Sequence, residues 1–221
     1  MNNLGNIIIQ IRDFSLSLLF ERENFCYAKI LEIHQQERSR IQETLLKKDG
    51  FLYLLPYRGY VRDVLWSFKF KNNKQVSILF GTLLYELLPD YLLKWEQSDN
   101  FFDPILITVT SSKQSILKRG FSQNDLVIKE FVKQGGGEFI TYQSKVIRKI
   151  KNTVRQSRTA SRKERLKNPQ GSFMVSNVTS IQDRNIILFD DVLTTGATTN
   201  EVVKVLEQSG VKQIRVVVIA H

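Results

Sequence analysis

Apolar residues recur along the chain in two rhythms. Short, nearly unbroken runs at Phe51–Tyr57, Pro104–Val109, Gly171–Val175, Ile186–Phe189 and Ile214–Ile219 have the length of buried strands, and Phe139–Ile147 also reads as extended. Between these runs the spacing is helical. Residues 1–50 are expected to be mostly helix, most strongly Leu31–Lys48, ended by Asp49-Gly50. Val61, Leu65 and Phe68, with Val64 beside them, mark one face of a helix over Arg58–Asn73; Lys69 and Lys71 at its end would approach a ligand or complement the helix C-terminus. Gln75–Trp95 reads as a leucine-rich helix packed in the core, with Pro89 a point where it would break. A further helix, with Ser122 as N-cap, would turn Leu126, Phe131 and Val132 inward. Gly135-Gly136-Gly137 lacks the flanks of a dinucleotide fingerprint and reads as a loop.

Strands alternating with helices predict an α/β fold with a mostly parallel central sheet flanked by helices and right-handed crossovers. Residues 1–50 would form a helical N-terminal extension and 51–221 the main domain. Ligands of such sheets bind at the carboxyl ends of the strands.

Candidate chemistry concentrates at one of those ends, in Asn185–Glu201, NIILFDDVLTTGATTNE. A strand ending at Phe189 is followed by Asp190 and Asp191, by Thr194-Thr195-Gly196-Ala197-Thr198, and by a helix carrying Val202, Val205 and Leu206. A helix start leaves backbone N–H groups without partners, and its dipole adds partial positive charge. Gly196 and Ala197 carry little bulk, so an anion can come close, and three threonines add hydroxyl donors. Ionised carboxylates only accept hydrogen bonds, so Asp190 and Asp191 suit sugar hydroxyls, directly or through metal-bound water. A ribose 5-phosphate has both halves. The plainer alternative is a strand–turn–helix in which the aspartates cap the helix and the threonines close the turn.

Charge adds a second candidate. The net charge is +10, yet Lys145–Lys167 holds ten Lys or Arg against Glu164 alone, a local +9 that leaves about +1 for the rest. Such a concentration suits a polyanion, an anionic substrate or a solvated basic face. Cys26, the only cysteine, excludes an internal disulfide framework and agrees with a reducing cytoplasm. Together with His34 it offers too few ligands for a zinc site, and His34 is expected on a solvated helix face. No run approaches the roughly 18 uncharged apolar residues of a membrane span. Arg12 and Asp13 interrupt the apolar opening, which reads as an amphipathic helix and not a signal peptide.

Asp190-Asp191-Val192-Leu193-Thr194-Thr195-Gly196-Ala197-Thr198 resembles the ribose-phosphate signature of the type I phosphoribosyltransferases. Two further runs are similar to the ComF-type competence proteins, a branch of that fold: Arg119-Gly120-Phe121-Ser122-Gln123, and the spaced Arg148, Thr153, Gln156, Arg165, Asn168 and Phe173. The resemblance covers about residues 51–220. The chain departs from the family in lacking opening cysteine clusters, in carrying Thr108 and Thr110 where prolines are usual, and in having Ser122 where asparagine is usual.

The resemblance implies a type I phosphoribosyltransferase-like fold that binds phosphoribosyl pyrophosphate or a related ribose phosphate with Mg²⁺. Asp190 and Asp191 would be the catalytic pair, holding the diol and, through water, the metal; no metal site is expected from protein side chains alone. Thr194, Thr195, Gly196, Ala197 and Thr198 would bind the 5-phosphate, and Ser111, Ser112 and Lys113 the pyrophosphate. Arg119, Arg155, Arg158 and Arg162 would close over the site or contact nucleic acid. The ComF-type likeness implies assistance to single-stranded DNA uptake during natural transformation, in the cytoplasm beside a helicase-like partner. The alternative is an active phosphoribosyltransferase acting on an unidentified nitrogenous base or amine.

Overall fold

A computed structural model describes residues 27–37, 51–70, 75–150 and 171–221. Helix α1 spans residues 27–37. Then come β1 (Leu52–Leu55), α2 (Gly59–Phe70), α3 (Gln75–Asp99), β2 (Ile105–Thr108), α4 (Lys113–Arg119) and α5 (Gln123–Lys133). The rest is β3 (Thr141–Tyr142), β4 (Ile147–Lys149), β5 (Phe173–Val175), β6 (Asn185–Val192), α6 (Ala197–Gln208) and β7 (Gln213–Ala220).

Five strands form one sheet in the order β1-β7-β6-β2-β3, and every pairing in it is parallel. The expected mostly parallel sheet is therefore present, with helices on both faces. Strands β4 and β5 pair antiparallel as a separate ribbon. From β2 the chain crosses through α4 and α5 to β3 on one side; from β6 it crosses through α6 to β7 on the other. The crossovers diverge between β2 and β6, and a crevice at the carboxyl ends of those strands is where such sheets take ligands.

Alternation along β6 sorts the core. Ile187 and Phe189 join the larger cluster, with α1, α2, α3 and α5, while Ile186 and Leu188 join a second cluster with Val202 and Leu206 of α6 and with the β4–β5 ribbon. Strand β6 is buried over its first six residues, as the central strand of a covered sheet should be.

Several expectations need correction. Helix α3 runs unbroken through Pro89, because Leu87, Leu88, Tyr91 and Trp95 on both sides of it are held in the core. Among the described residues α3 is the one helix long and apolar enough to cross a membrane, and 61% of its most apolar 18-residue window is buried inside the protein. His34 is not on a solvated face. It is 2% exposed, and its Nδ1 donates to the Leu54 carbonyl at 3.0 Å, tying α1 to β1. Val132 points outward, whereas Phe131 is fully buried. Ser122 stands at the N-cap of α5 with extended backbone, but its hydroxyl makes no cap bond. The stretch Phe139–Ile147 is strand only at Thr141–Tyr142 and at its last residue, where β4 begins.

Candidate functional site

A cavity of about 960 Å³ opens at the carboxyl ends of β2 and β6. One wall comes from those ends and the turns beyond them: Val109, Thr110, Ser111, Asp190, Asp191, Val192, Thr194 and Thr198. Gln123 and Asn124 of α5 lie at the back, and Tyr57, Arg62, Asp63, Leu65, Trp66 and Lys69 form the facing wall.

The two acids have different surroundings. Strand β6 continues to Val192, which pairs with Ala220 of β7, so Asp190 and Asp191 are still within the strand and point to opposite faces. Asp190 faces the α6 side and is 7% exposed. Its Oδ1 accepts from Asn124 Nδ2 at 3.1 Å and from the Asp191 N–H at 2.9 Å, and its Oδ2 accepts from the Thr199 hydroxyl at 3.3 Å. Burial, reinforced by the charge of Asp191, pushes the Asp190 carboxyl up to about 7. Asp191 faces the α2 side, half-buried, and its Oδ2 lies 3.0 Å from Lys69 Nζ. That carboxylate holds the Lys69 ammonium above its ordinary pKa.

The turn after β6 has the shape its composition suggests. Gly196 adopts φ +73°, a left-handed conformation at the N-cap of α6, and its carbonyl accepts from the Asn200 N–H at 2.7 Å. A Cβ placed there would come within 3.3 Å of Asn200 Nδ2. Thr194 and Thr198 reach the cavity; the Thr195 hydroxyl is turned back toward the Ala197 N–H at 3.5 Å.

The Ser111-Ser112-Lys113 segment divides. Ser111 lines the cavity, but Ser112 caps α4, accepting from the Ser115 N–H at 3.2 Å and donating to the Ser115 hydroxyl at 2.9 Å. Lys113 is the first residue of that helix. Arg119 donates Nη1 to Gln123 Oε1 and Nε to the Ser115 carbonyl at 3.1 Å, bridging α4 to α5 across Gly120, whose φ of +79° ends α4. Gln123 Nε2 reaches the Phe68 carbonyl at 3.4 Å, so this motif positions α2 against α5. Arg155, Arg158 and Arg162 lie outside the described residues, as does most of the basic segment.

Sequence reasoning passed over Asn124, Thr199, Lys69 as a partner of Asp191, and the wall of α2. Asn124 Nδ2 also donates to the Val109 carbonyl at 2.9 Å, and its buried Oδ1 has no hydrogen-bond partner. The adjoining Asp125 accepts from Thr108 Oγ1 at 2.6 Å and from the Tyr142 hydroxyl at 2.9 Å, holding α5 over the end of β2. A polar pair Asn124-Asp125 opening a helix was the available signal, and it reads equally well as ordinary first-turn residues. Among the described residues no group of three or more His, Cys, Asp or Glu side chains could hold a metal ion.

Residues 115–221 match the family model of the phosphoribosyl transferase domain. The chain is 28% identical over 162 residues to the Competence protein ComFC of Streptococcus pneumoniae, covering 73% of this chain, and 29% identical over 158 residues to the Competence protein F of Haemophilus influenzae, covering 69%. It spans 64% of the length of each of these relatives. Among solved structures, the hypoxanthine phosphoribosyl transferase of Trypanosoma cruzi is 11% identical with a TM-score of 0.39, covering 63% of each chain.

Proposed function

We propose, from the premise that this chain is a ComFC-like member of the phosphoribosyltransferase family, that its cavity binds phosphoribosyl pyrophosphate or a related ribose phosphate and that the protein assists single-stranded DNA uptake from the cytoplasmic side. The observation that carries the ligand reading is the convergence of Asp190, Asp191, Thr194 and Thr198 on one cavity at the divergence of the crossovers.

In this reading the 5-phosphate sits over Thr194–Thr198, taking N–H groups at the start of α6 and the hydroxyls of Thr194 and Thr198. The sugar hydroxyls lie toward the acids. Asp191, ion-paired with Lys69, accepts from one of them. Asp190 is part-protonated near neutrality, so it holds Asn124 and Thr199 in place and gains charge as the pH rises. The pyrophosphate end would lie against Ser111, with Ser112 and Lys113 beyond it.

Mg²⁺ prefers oxygen ligands and keeps several waters. Two carboxylates, one engaged by three donors and the other ion-paired, suit a Mg²⁺ held by Asp190 and Asp191 through water and by the phosphates of its ligand. When bound it would supply neutralisation of pyrophosphate charge.

The test is a calorimetric titration with phosphoribosyl pyrophosphate and Mg²⁺, repeated on the Asp190→Asn, Asp191→Asn double variant. Binding that drops by two orders of magnitude or more in the double variant is the expected result. Unchanged affinity overturns the assignment. For the DNA role, affinity for single-stranded DNA should fall steeply with salt and should weaken when Arg155, Arg158 and Arg162 become alanine; a flat salt response removes that part.

A second reading, transfer of the ribosyl group to a nitrogenous base or amine, is favoured by cavity size. About 960 Å³ is at the upper end for small-ligand pockets and leaves room beside a ribose phosphate. Pyrophosphate release on adding candidate acceptors tests it.

A further inference from the structure

The sheet splits at the cavity, and side chains make the split. Strands β2 and β6 are joined from Ile105 and Ile186 onward by a parallel ladder, and its last bond runs from the Val109 N–H to the Phe189 carbonyl at 2.9 Å. In a parallel pair a residue donates to one residue of the neighbouring strand and accepts from the residue two further on. The next bond of the ladder would therefore run from the Asp191 N–H to the Val109 carbonyl. Both groups are bonded elsewhere. The Asp191 N–H donates to Asp190 Oδ1 at 2.9 Å, and the Val109 carbonyl accepts from Asn124 Nδ2 at 2.9 Å. The second hydrogen of the Asn124 amide closes the relay, donated to Asp190 Oδ1 at 3.1 Å. A relay through two side chains spans more than the ~4.8 Å between bonded strands, so β2 and β6 part here. On its other side β6 stays joined to β7 as far as Leu193, whose N–H donates to the Ala220 carbonyl at 3.0 Å.

Serving both acceptors takes a group with two hydrogens to give and no charge to add. A side-chain amide has them, whereas a serine hydroxyl has one and an ionised aspartate none. Asn124 is 6% exposed and lines the cavity. Its neighbour Asp125 accepts from Thr108 Oγ1 at 2.6 Å and from the Tyr142 hydroxyl at 2.9 Å, pinning the first turn of α5 to β2 and β3. We propose that Asn124 is a positioning residue of the site: its amide stands in for one rung of the β2–β6 ladder, holding the strand ends apart and the Asp190 carboxyl beside the opening. This rests on the ribose phosphate reading of the cavity and adds what sets the width of the crevice and the aim of one acid. Removing the amide leaves the carbonyl of the buried Val109 without a donor, which is costly. The nearest repair is the missing rung, with the Asp191 N–H turned from Asp190 to Val109. That repair zips the strands by one more residue and frees Asp190 Oδ1 from both of its donors.

The rung is visible by NMR, through scalar couplings that cross hydrogen bonds, in the full chain without ligand. Wild type should show coupling between the Val109 nitrogen and the Phe189 carbonyl carbon, which serves as the control. It should show none between the Asp191 nitrogen and the Val109 carbonyl carbon, and Asn124→Ala should gain that second coupling. An Asp191–Val109 coupling in wild type overturns the inference, whatever the variant does. So does its absence from a folded Asn124→Ala that retains the control.

The consequence for binding is read by calorimetry with ribose 5-phosphate. Asn124→Ala should bind roughly tenfold weaker or worse, the size of a close side-chain coupling. Asn124→Ser, with one hydrogen to give, should fall between the two. Because Asn124 acts through Asp190, adding Asn124→Ala to Asp190→Asn should cost less than adding it to wild type. Full additivity overturns the positioning role, as does a variant that loses thermal stability but keeps its affinity. Failure of the wild type to bind ribose 5-phosphate overturns the ribose phosphate reading instead, and the couplings still decide whether the amide holds the strands apart.

Discussion

On the β6 side of the cavity the polar groups sit on a strand end and a turn whose backbone is fixed by β2 and β7. On the α2 side they project from one exposed face of a helix, anchored from behind by Val61, Leu65 and Phe68. The first wall is held in place by the sheet, with Asp190 buried in it, and is specific in the hydrogen bonds it offers; the second is aromatic and carries the more exposed side chains. A ligand that touches both would be placed by the first and extended along the second. One contact already joins them, the Lys69–Asp191 ion pair.

The strongest way to break this contrast is to spoil the rigid wall alone. Gly196→Val should cost on the order of a hundredfold or more in ribose phosphate affinity, measured by calorimetry. The new side chain meets Asn200 and forces a left-handed backbone on a β-branched residue, so thermal unfolding should also show a loss of at least about 1–2 kcal/mol. If ribose phosphate binding is unaffected, the turn is not the cradle.

Next in size is a pH effect confined to the same wall. Asp190 keeps its proton to about 7 in the folded state, while an unfolded aspartate releases it near ~3.9. The folded state therefore binds more protons between those values, and stability falls as pH rises through that window, then levels off. The decline attributable to Asp190 should be on the order of 2–4 kcal/mol. Denaturant unfolding of Asp190→Asn from pH 4 to pH 8 should show that component removed, with the variant the more stable protein above pH 7. A wild-type profile that rises across the window would contradict this environment for Asp190.

Smallest is the link between the walls. Lys69 is nearly half exposed, so its pairing with Asp191 is screened, and Lys69→Met should change stability by no more than about 1 kcal/mol. Its effect on ligands should be larger for a doubly charged phosphate than for a neutral nucleoside. Equal effects on both would mean that Lys69 serves only the helix end.

The contrast also explains what the sequence could convey. The β6 turn was legible because a strand rhythm, two acids and a small-residue turn each carry a local signal. The divergence of Asp190 from Asp191 was not, because it depends on β6 extending past Phe189 to Val192, which requires Ala220 of β7 as a partner. His34 was misplaced for a related reason: its burial comes from β1 packing against α1, a contact across 20 positions. Ser112 was read with Ser111 and Lys113 as pyrophosphate-binding; a serine three residues before Ser115 is also a capping arrangement, and the fold uses it that way. Trp66 was the hardest to read. An aromatic residue at helical spacing ordinarily belongs to a core, and only the packing of α2 shows which side of the helix is covered.

The strand order has a further consequence for how the molecule assembles. Strand β1, which leads into α2, reaches β6 only through β7, the last strand to be made among those described. Until β7 is seated, the two halves of the cavity belong to separate pieces, joined by no hydrogen-bonded ladder. Closing them requires contacts between distant parts of the chain, a slow step in folding. Binding across the completed crevice would then favour the fully assembled state over partly assembled ones, so the ligand would act as a clamp on the protein's own architecture.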